Sequence, residues 1–125
     1  DRVQFLKVCA ELAGDKAVCV TGEVPHEERE EIIDEIKHTS KNILFGTQAI
    51  FSEGISVDVL SCLILGTPIN NEPLLTQLVG RVIRKREGKV QPVIVDIQLK
   101  GNTAKRQASN RIGHYMKEGY EITYI

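Results

Sequence analysis

Apolar positions along the chain change period repeatedly, and each change predicts an element. From Val3 to Ala13 they fall at Val3, Phe5, Leu6, Cys9, Ala10 and Ala13, one face of a helix, and Gly14 stands where a left-handed cap would close it. Ala17 to Thr21 is an apolar run too short for a helix, ended by Gly22, and predicts a strand. Pro25 then sits at a helix start, and His26 to His38 carries Ile32, Ile33 and Ile36 on one stripe with acids outside. Asn42 to Gly46 and Leu60 to Gly66 read as strands, Glu72 to Arg84 as a helix, and Pro92 to Ile97 as a further strand. Thr103 to Glu118 predicts a polar amphipathic helix and Tyr120 to Ile125 a last strand.

Strands apolar along most of their length, separated by helices, imply a parallel sheet covered on both faces. The expected architecture is one α/β domain over residues 1–125, without linker or repeat, in which 100–125 forms a helix–strand extension. A βα order would put a buried strand before Asp1, so the sequence reads as part of a longer chain lacking that first strand.

Composition narrows the core. Aromatic residues make up 5% and Trp is absent, so Val, Ile and Leu must fill the interior. The net charge of −1 hides an asymmetry: Glu23 to Asp34 holds six acids against one Arg, whereas Arg81 to Lys117 is rich in Arg and Lys. A local basic surface governs phosphate binding more than the total does. Cys9, Cys19 and Cys62 form no C-x-x-C pair, and His26, His38 and His114 are scattered. The expectation is buried, reduced thiols and no metal site. No apolar run approaches the ~20 residues of a membrane span, and the chain reads as cytoplasmic.

The sharpest chemistry lies in Gln77-Leu78-Val79-Gly80-Arg81-Val82-Ile83-Arg84. Arg81 and Arg84 are three apart and Gln77 is four before Arg81, so a helix gathers all three on one side. Two planar guanidiniums and an amide suit a phosphate, whose oxygens they grip bidentately. A solvated basic helix end, favoured by the macrodipole, accounts for the same residues. Gly80 inside the helix costs about 1 kcal/mol against Ala and points to close backbone approach.

Upstream stands Phe45-Gly46-Thr47-Gln48-Ala49-Ile50-Phe51-Ser52-Glu53-Gly54-Ile55-Ser56-Val57: a strand end, a hydroxyl residue, a short helix and a glycine turn. Ligands of open α/β sheets gather outside the carboxyl ends of strands. Thr47 sits at such an end, where its hydroxyl and nearby amides suit a backbone phosphate. The bland readings are a helix cap for Thr47 and a simple turn for Gly54.

Together these segments resemble the second RecA-like domain of superfamily 2 helicases, closest to bacteriophage recombination and repair DNA helicases. Gln77 to Arg84 looks like motif VI, Q-x-x-G-R-x-x-R, Gly46 to Val57 like motif V, and Thr21-Gly22 like motif IVa. The resemblance covers the chain to about Ile97 and implies a RecA-like three-layer sandwich with a mainly parallel sheet. It implies that Arg81 and Arg84 are arginine fingers toward ATP and that Gln77 places the γ-phosphate or attacking water. It implies that Gly54 and Ser56 lie beside the nucleotide, and that Thr21, Gly22, Thr47 and Gln48 face nucleic acid. Ser56 stands where many relatives carry Asp.

The phosphate loop G-x-x-x-x-G-K-[ST] does not occur in residues 1–125. ATP and Mg²⁺ are therefore expected mainly on an upstream RecA-like domain, and this monomeric piece alone is expected to be inactive. The expected partner is DNA ahead of RNA, in the host cytoplasm for a phage protein. Competing readings are an RNA helicase, a restriction-type translocase, or a RecA-like nucleic-acid-binding module without an ATP cycle. The C-terminal Lys100, Lys105, Arg106, Arg111 and Lys117 either track phosphates or, the preferred reading, form the outer side of a helix that packs Ala104, Ala108, Ile112 and Tyr115.

Overall fold

The computed structural model describes residues 2–52, 60–67, 69–82 and 90–125, with the backbone alone at 52, 81 and 82. The chain divides into two compact units, Asp1–Val57 and Asp58–Ile125.

In the first unit, α1 (Arg2–Ala13) ends where Gly14 takes a left-handed φ of 78°, and a 3₁₀ turn over Gly14–Lys16 leads into β1 (Ala17–Val20). Gly14 thus fills the cap position read from the sequence. Next come α2 (His26–His38), β2 (Ile43–Gly46) and the short α3 (Gln48–Ser52). β1 and β2 pair in parallel, Ala17 opposite Ile43 through Val20 opposite Gly46. Val18 and Val20 are buried, and α1 packs on both strands while α2 packs on β1. Pro25 precedes α2 and its carbonyl accepts from Glu28 N and Arg29 N. Glu27 and Glu28 in the first turn and Lys37 and His38 in the last complement the helix dipole.

In the second unit, β3 (Cys62–Leu65) and β4 (Val93–Asp96) pair in parallel, Cys62 opposite Val93 through Leu65 opposite Asp96. Between them α4 (Glu72–Val82) buries Leu75, Leu78 and Val79, the i, i+3, i+4 stripe that seats a helix, and packs on β3. Asn71 starts α4: its Oδ1 accepts from Leu74 N at 3.1 Å and its carbonyl from Leu75 N at 2.9 Å. α5 (Asn102–Lys117) follows β4 and packs on α4.

Each unit is built of parallel α/β elements, the fold class expected from the sequence, with three departures. Tyr120 to Ile125 is not a strand. Gly119, at φ 78°, ends α5 with Tyr120 N bonded to Tyr115 O, which turns the chain back over the helix instead of extending it. None of the three thiols is fully buried: Cys62 is exposed and Cys9 and Cys19 are half-buried. Strand alternation leaves Cys62, Ile64, Val93 and Val95 exposed while Leu65 is buried. Finally, a Cβ on Gly80 meets nothing within 4 Å, so no close backbone approach among the described residues requires this glycine.

Candidate functional site

The register of β1 and β2 brings two sequence-predicted positions together. Val20 pairs with Gly46, so Thr21 and Thr47 leave adjacent parallel strands at the same, carboxyl edge, where strands lie about 4.8 Å apart. Their roles differ. Thr21 is 2% exposed, and its Oγ1 accepts from Glu23 N at 3.3 Å while its carbonyl accepts from Val24 N at 3.0 Å. It therefore shapes the turn, and the neighbouring Gly22 is the exposed residue. Thr47 is half-buried and its carbonyl accepts from Ile50 N at 3.2 Å, starting α3 at Gln48, which is also half-buried.

Arg29 braces this edge. It is 6% exposed on α2, and it donates from Nε to the Val24 carbonyl at 2.8 Å and from a terminal nitrogen to the Gly22 carbonyl at 3.5 Å. Sequence reasoning passed over it as the one Arg among the six acids of Glu23 to Asp34. The available signal was its spacing: Arg29, Ile33 and Ile36 fall at i, i+4 and i+7, on the buried stripe. Lys7 adds an exposed ion pair to Glu23 at 3.0 Å, an interaction of little energy. The amides of Glu23, Val24 and Ile50 are spent within these turns, on Thr21 and Thr47.

In the second unit, Gln77 is exposed on α4 and Arg81 lies in the same helix one turn later. Gly54, Ser56 and Arg84 lie outside the described residues. Thr76 Oγ1 donates to the Glu72 carbonyl at 2.9 Å, so it serves the helix itself.

The strongest electrostatic feature was not foreseen. Arg111 on α5 is 3% exposed and grips Asp96 at the end of β4 bidentately, Nε to Oδ2 at 2.8 Å and a terminal nitrogen to Oδ1 at 2.9 Å. Tyr115 donates its hydroxyl to the same Oδ2 at 2.7 Å. The bond to Asp96 holds the Arg111 pKa above its ordinary value, against the effect of burial. Burial, then the bond to Asp96, pushes the Tyr115 phenol up. Arg111 therefore belongs to the interior and not to a phosphate-tracking face, because a bidentate carboxylate satisfies it there. Lys100, Lys105, Arg106 and Lys117 are exposed, while Ala108 and Tyr115 are buried. The preferred packing reading of α5 holds apart from Arg111.

A groove of about 450 Å³ between the start of α4 and α5 is lined by Asn70, Asn71, Glu72, Ser109, His114 and Lys117, among others, and contains none of the predicted site residues. Among the described residues no His, Cys, Asp and Glu side chains cluster as a metal site, and no helix is long and apolar enough to cross a membrane.

Comparison with known proteins gives these elements a context. The sequence profile of the family described as the helicase conserved C-terminal domain matches residues 1–86. A protein of Escherichia phage T5, provisionally named helicase D10, is 40% identical over 97% of this chain and 28% of its own length. A protein of Acanthamoeba polyphaga mimivirus, provisionally named an ATP-dependent RNA helicase, is 33% identical over 69% of this chain and 16% of its own length. Among solved structures, T4 UvsW superposes with a TM-score of 0.65 at 24% identity, covering 93% of this chain and 27% of that one. The chain thus spans less than a third of the length of each of these proteins.

Proposed function

The chain belongs to the helicase conserved C-terminal domain family, and from that premise we propose that residues 1–125 act as the second motor domain of an ATP-dependent DNA helicase or translocase. ATP binds between this domain and an upstream RecA-like domain of the same protein. Arg81 and Arg84 reach its γ-phosphate, Gln77 orients the phosphate or the attacking water, and Gly54 and Ser56 lie beside the nucleoside. Thr47, Gln48 and Gly22 touch the nucleic-acid backbone, with Thr21 holding the turn that presents Gly22.

The observation that carries this reading is the pairing of Val20 with Gly46. Two segments 26 residues apart in sequence, each singled out for nucleic-acid contact, emerge side by side at the edge where α/β sheets bind ligands. Parallel pairing puts both following loops at this edge, and the register sets their first residues, Thr21 and Thr47, beside each other there. The same contacts are made by amides and a hydroxyl, which read phosphate and not sequence, as a motor moving along any strand requires.

For the chemical step, phosphoryl transfer depends on positioning and on stabilising charge at the γ-phosphate oxygens. Arg guanidiniums supply planar, permanently charged forks for those oxygens. Mg²⁺, when bound, would neutralise charge developing on the phosphates. Because residues 1–125 lack the phosphate loop G-x-x-x-x-G-K-[ST], its ligands are assigned to the upstream domain. T4 UvsW is named an ATP-dependent DNA helicase, which favours DNA; the phage origin of two relatives favours action in the host cytoplasm, and the mimivirus relative keeps an RNA substrate as the second reading.

The test is ATP turnover by the full-length protein with and without single- and double-stranded DNA and RNA. The proposal predicts stimulation by DNA that fades as salt rises. Turnover indifferent to every nucleic acid, or none at all, contradicts it.

A further inference from the structure

We propose that Arg111 is a positioning residue for the phosphate-facing side chains of α4, acting through the residue that launches that helix. The proposal rests on the roles given above to Gln77 and Arg81. Arg111 divides its fork between two elements. Two nitrogens hold Asp96 at the end of β4, and the third donates to the Ile69 carbonyl at 3.3 Å. Ile69 is itself 3% exposed and stands two residues before Asn71, which caps the first turn of α4 through Leu74 N and Leu75 N. One buried guanidinium thus fixes the entry of α4 to a strand end. One turn later on α5, His114 Nδ1 lies 3.5 Å from Oε1 of Glu72, the first residue of α4.

Holding α5 in place does not by itself call for charge. A buried ion pair is often no more stabilising than apolar residues of the same volume. What the fork adds is direction, because its N–H groups lie in one plane and accept partners only along fixed lines. Direction matters here for a mechanical reason. From Glu72 to Arg81 the helix rises about 14 Å at ~1.5 Å per residue, so a tilt at Ile69 displaces the far end where Arg81 sits. A misplacement of about 1 Å at a reacting group costs roughly 10²-fold in rate. Asp96 and Arg111 both lie beyond residue 86, where the family match ends. The C-terminal segment is thereby assigned a part in ATP turnover as well as in folding.

The experiment uses the full-length protein and two variants with opposite expectations. Arg111→Lys keeps the charge but cannot span Asp96 and Ile69 together; Tyr115→Phe removes one bond to Asp96 and leaves the Arg111 fork whole. Both should melt earlier than wild type. Arg111→Lys should lower kcat at saturating ATP and DNA about 10- to 100-fold, with the KM for ATP within about twofold. Tyr115→Phe should keep wild-type kcat, which separates positioning from stability. Wild-type kcat in Arg111→Lys, or a loss in both variants that follows the folded fraction, overturns the proposal. If the wild-type protein shows no DNA-stimulated turnover, the helicase reading itself fails and takes this proposal with it.

Discussion

Gly46 lies against Phe51: a Cβ built on Gly46 stands 3.0 Å from Phe51 Cε2 and 3.3 Å from Cζ. The glycine lets the last residue of β2 pass under the ring of α3, and the chain then turns to present Thr47. Gly46→Ala should therefore push the ring aside, at a cost of about 1 kcal/mol, the low end of overpacking. Phe51→Leu should relieve that clash. A double-mutant cycle by thermal or urea unfolding should give a favourable coupling of at least ~0.5 kcal/mol; additive effects contradict the contact.

Asp96 carries the Arg111 and Tyr115 bonds on one carboxylate. Asp96→Asn leaves the Arg111 guanidinium buried without its counter-charge, and breaking such a pair costs about 3–5 kcal/mol. Tyr115→Phe removes only a hydrogen bond to a charged acceptor, about 1.5–3 kcal/mol. Urea unfolding should rank the two variants in that order. Equal losses, or a harmless Asp96→Asn, would show that the pair is not the anchor of α5.

Tyr115 also sets an alkaline limit. Burial, with the bond to Asp96, raises its pKa above the ordinary 10.0, so the folded state favours the neutral phenol. The unfolded phenol ionises first. The stabilisation is complete below about pH 10 and is lost as pH climbs from there through the higher folded value. The stability difference between wild type and Tyr115→Phe should be constant from about pH 7 to 9 and shrink above about pH 10. A difference that stays constant to about pH 11 contradicts the burial of this hydroxyl.

Much of this was legible from periodicity alone. Val18 and Val20 in β1, Ile33 in α2 and the Leu75, Leu78, Val79 stripe of α4 are buried as the pattern requires. The parallel pairing followed from apolar strands alternating with helices. What escaped notice were the two buried cations. Arg29 and Arg111 count as polar in any hydropathy pattern, yet both occupy inward positions of their helices. Their burial depends on acceptors outside their own helices, the carbonyls of Val24 and Gly22 just before α2 for one and Asp96 on β4 for the other. No local signal reveals such partners. The false strand at Tyr120 to Ile125 had the opposite origin: β-prone residues outweighed Gly119, whose left-handed φ redirects the chain. At the candidate site, periodicity put Gln77 and Arg81 on one helix, but only the β1–β2 register could bring Thr21 beside Thr47.

Thr47→Ala in the full-length protein should weaken DNA binding equally for unrelated sequences. Loss of one uncharged contact is worth on the order of 1 kcal/mol, or about fivefold in Kd. Unwinding per ATP hydrolysed should fall as well. A variant that binds normally but melts earlier identifies Thr47 as a helix cap and removes it from the interface.

The central claim, that the Gln77 to Arg84 segment delivers arginine fingers to ATP, is tested most directly by Arg84→Lys in the full-length protein. Lys keeps the charge and loses the planar fork. An arginine finger contributes roughly 10³ to 10⁵ in rate, or about 4 to 7 kcal/mol at ~1.4 per decade, whereas replacing a solvated Arg shifts stability by only about 0.5 kcal/mol. Single-turnover ATP hydrolysis with DNA present, measured beside a thermal melt, separates the two roles. The account predicts hydrolysis reduced by about three decades or more, with ATP binding and melting temperature nearly unchanged. Hydrolysis at the wild-type rate contradicts it.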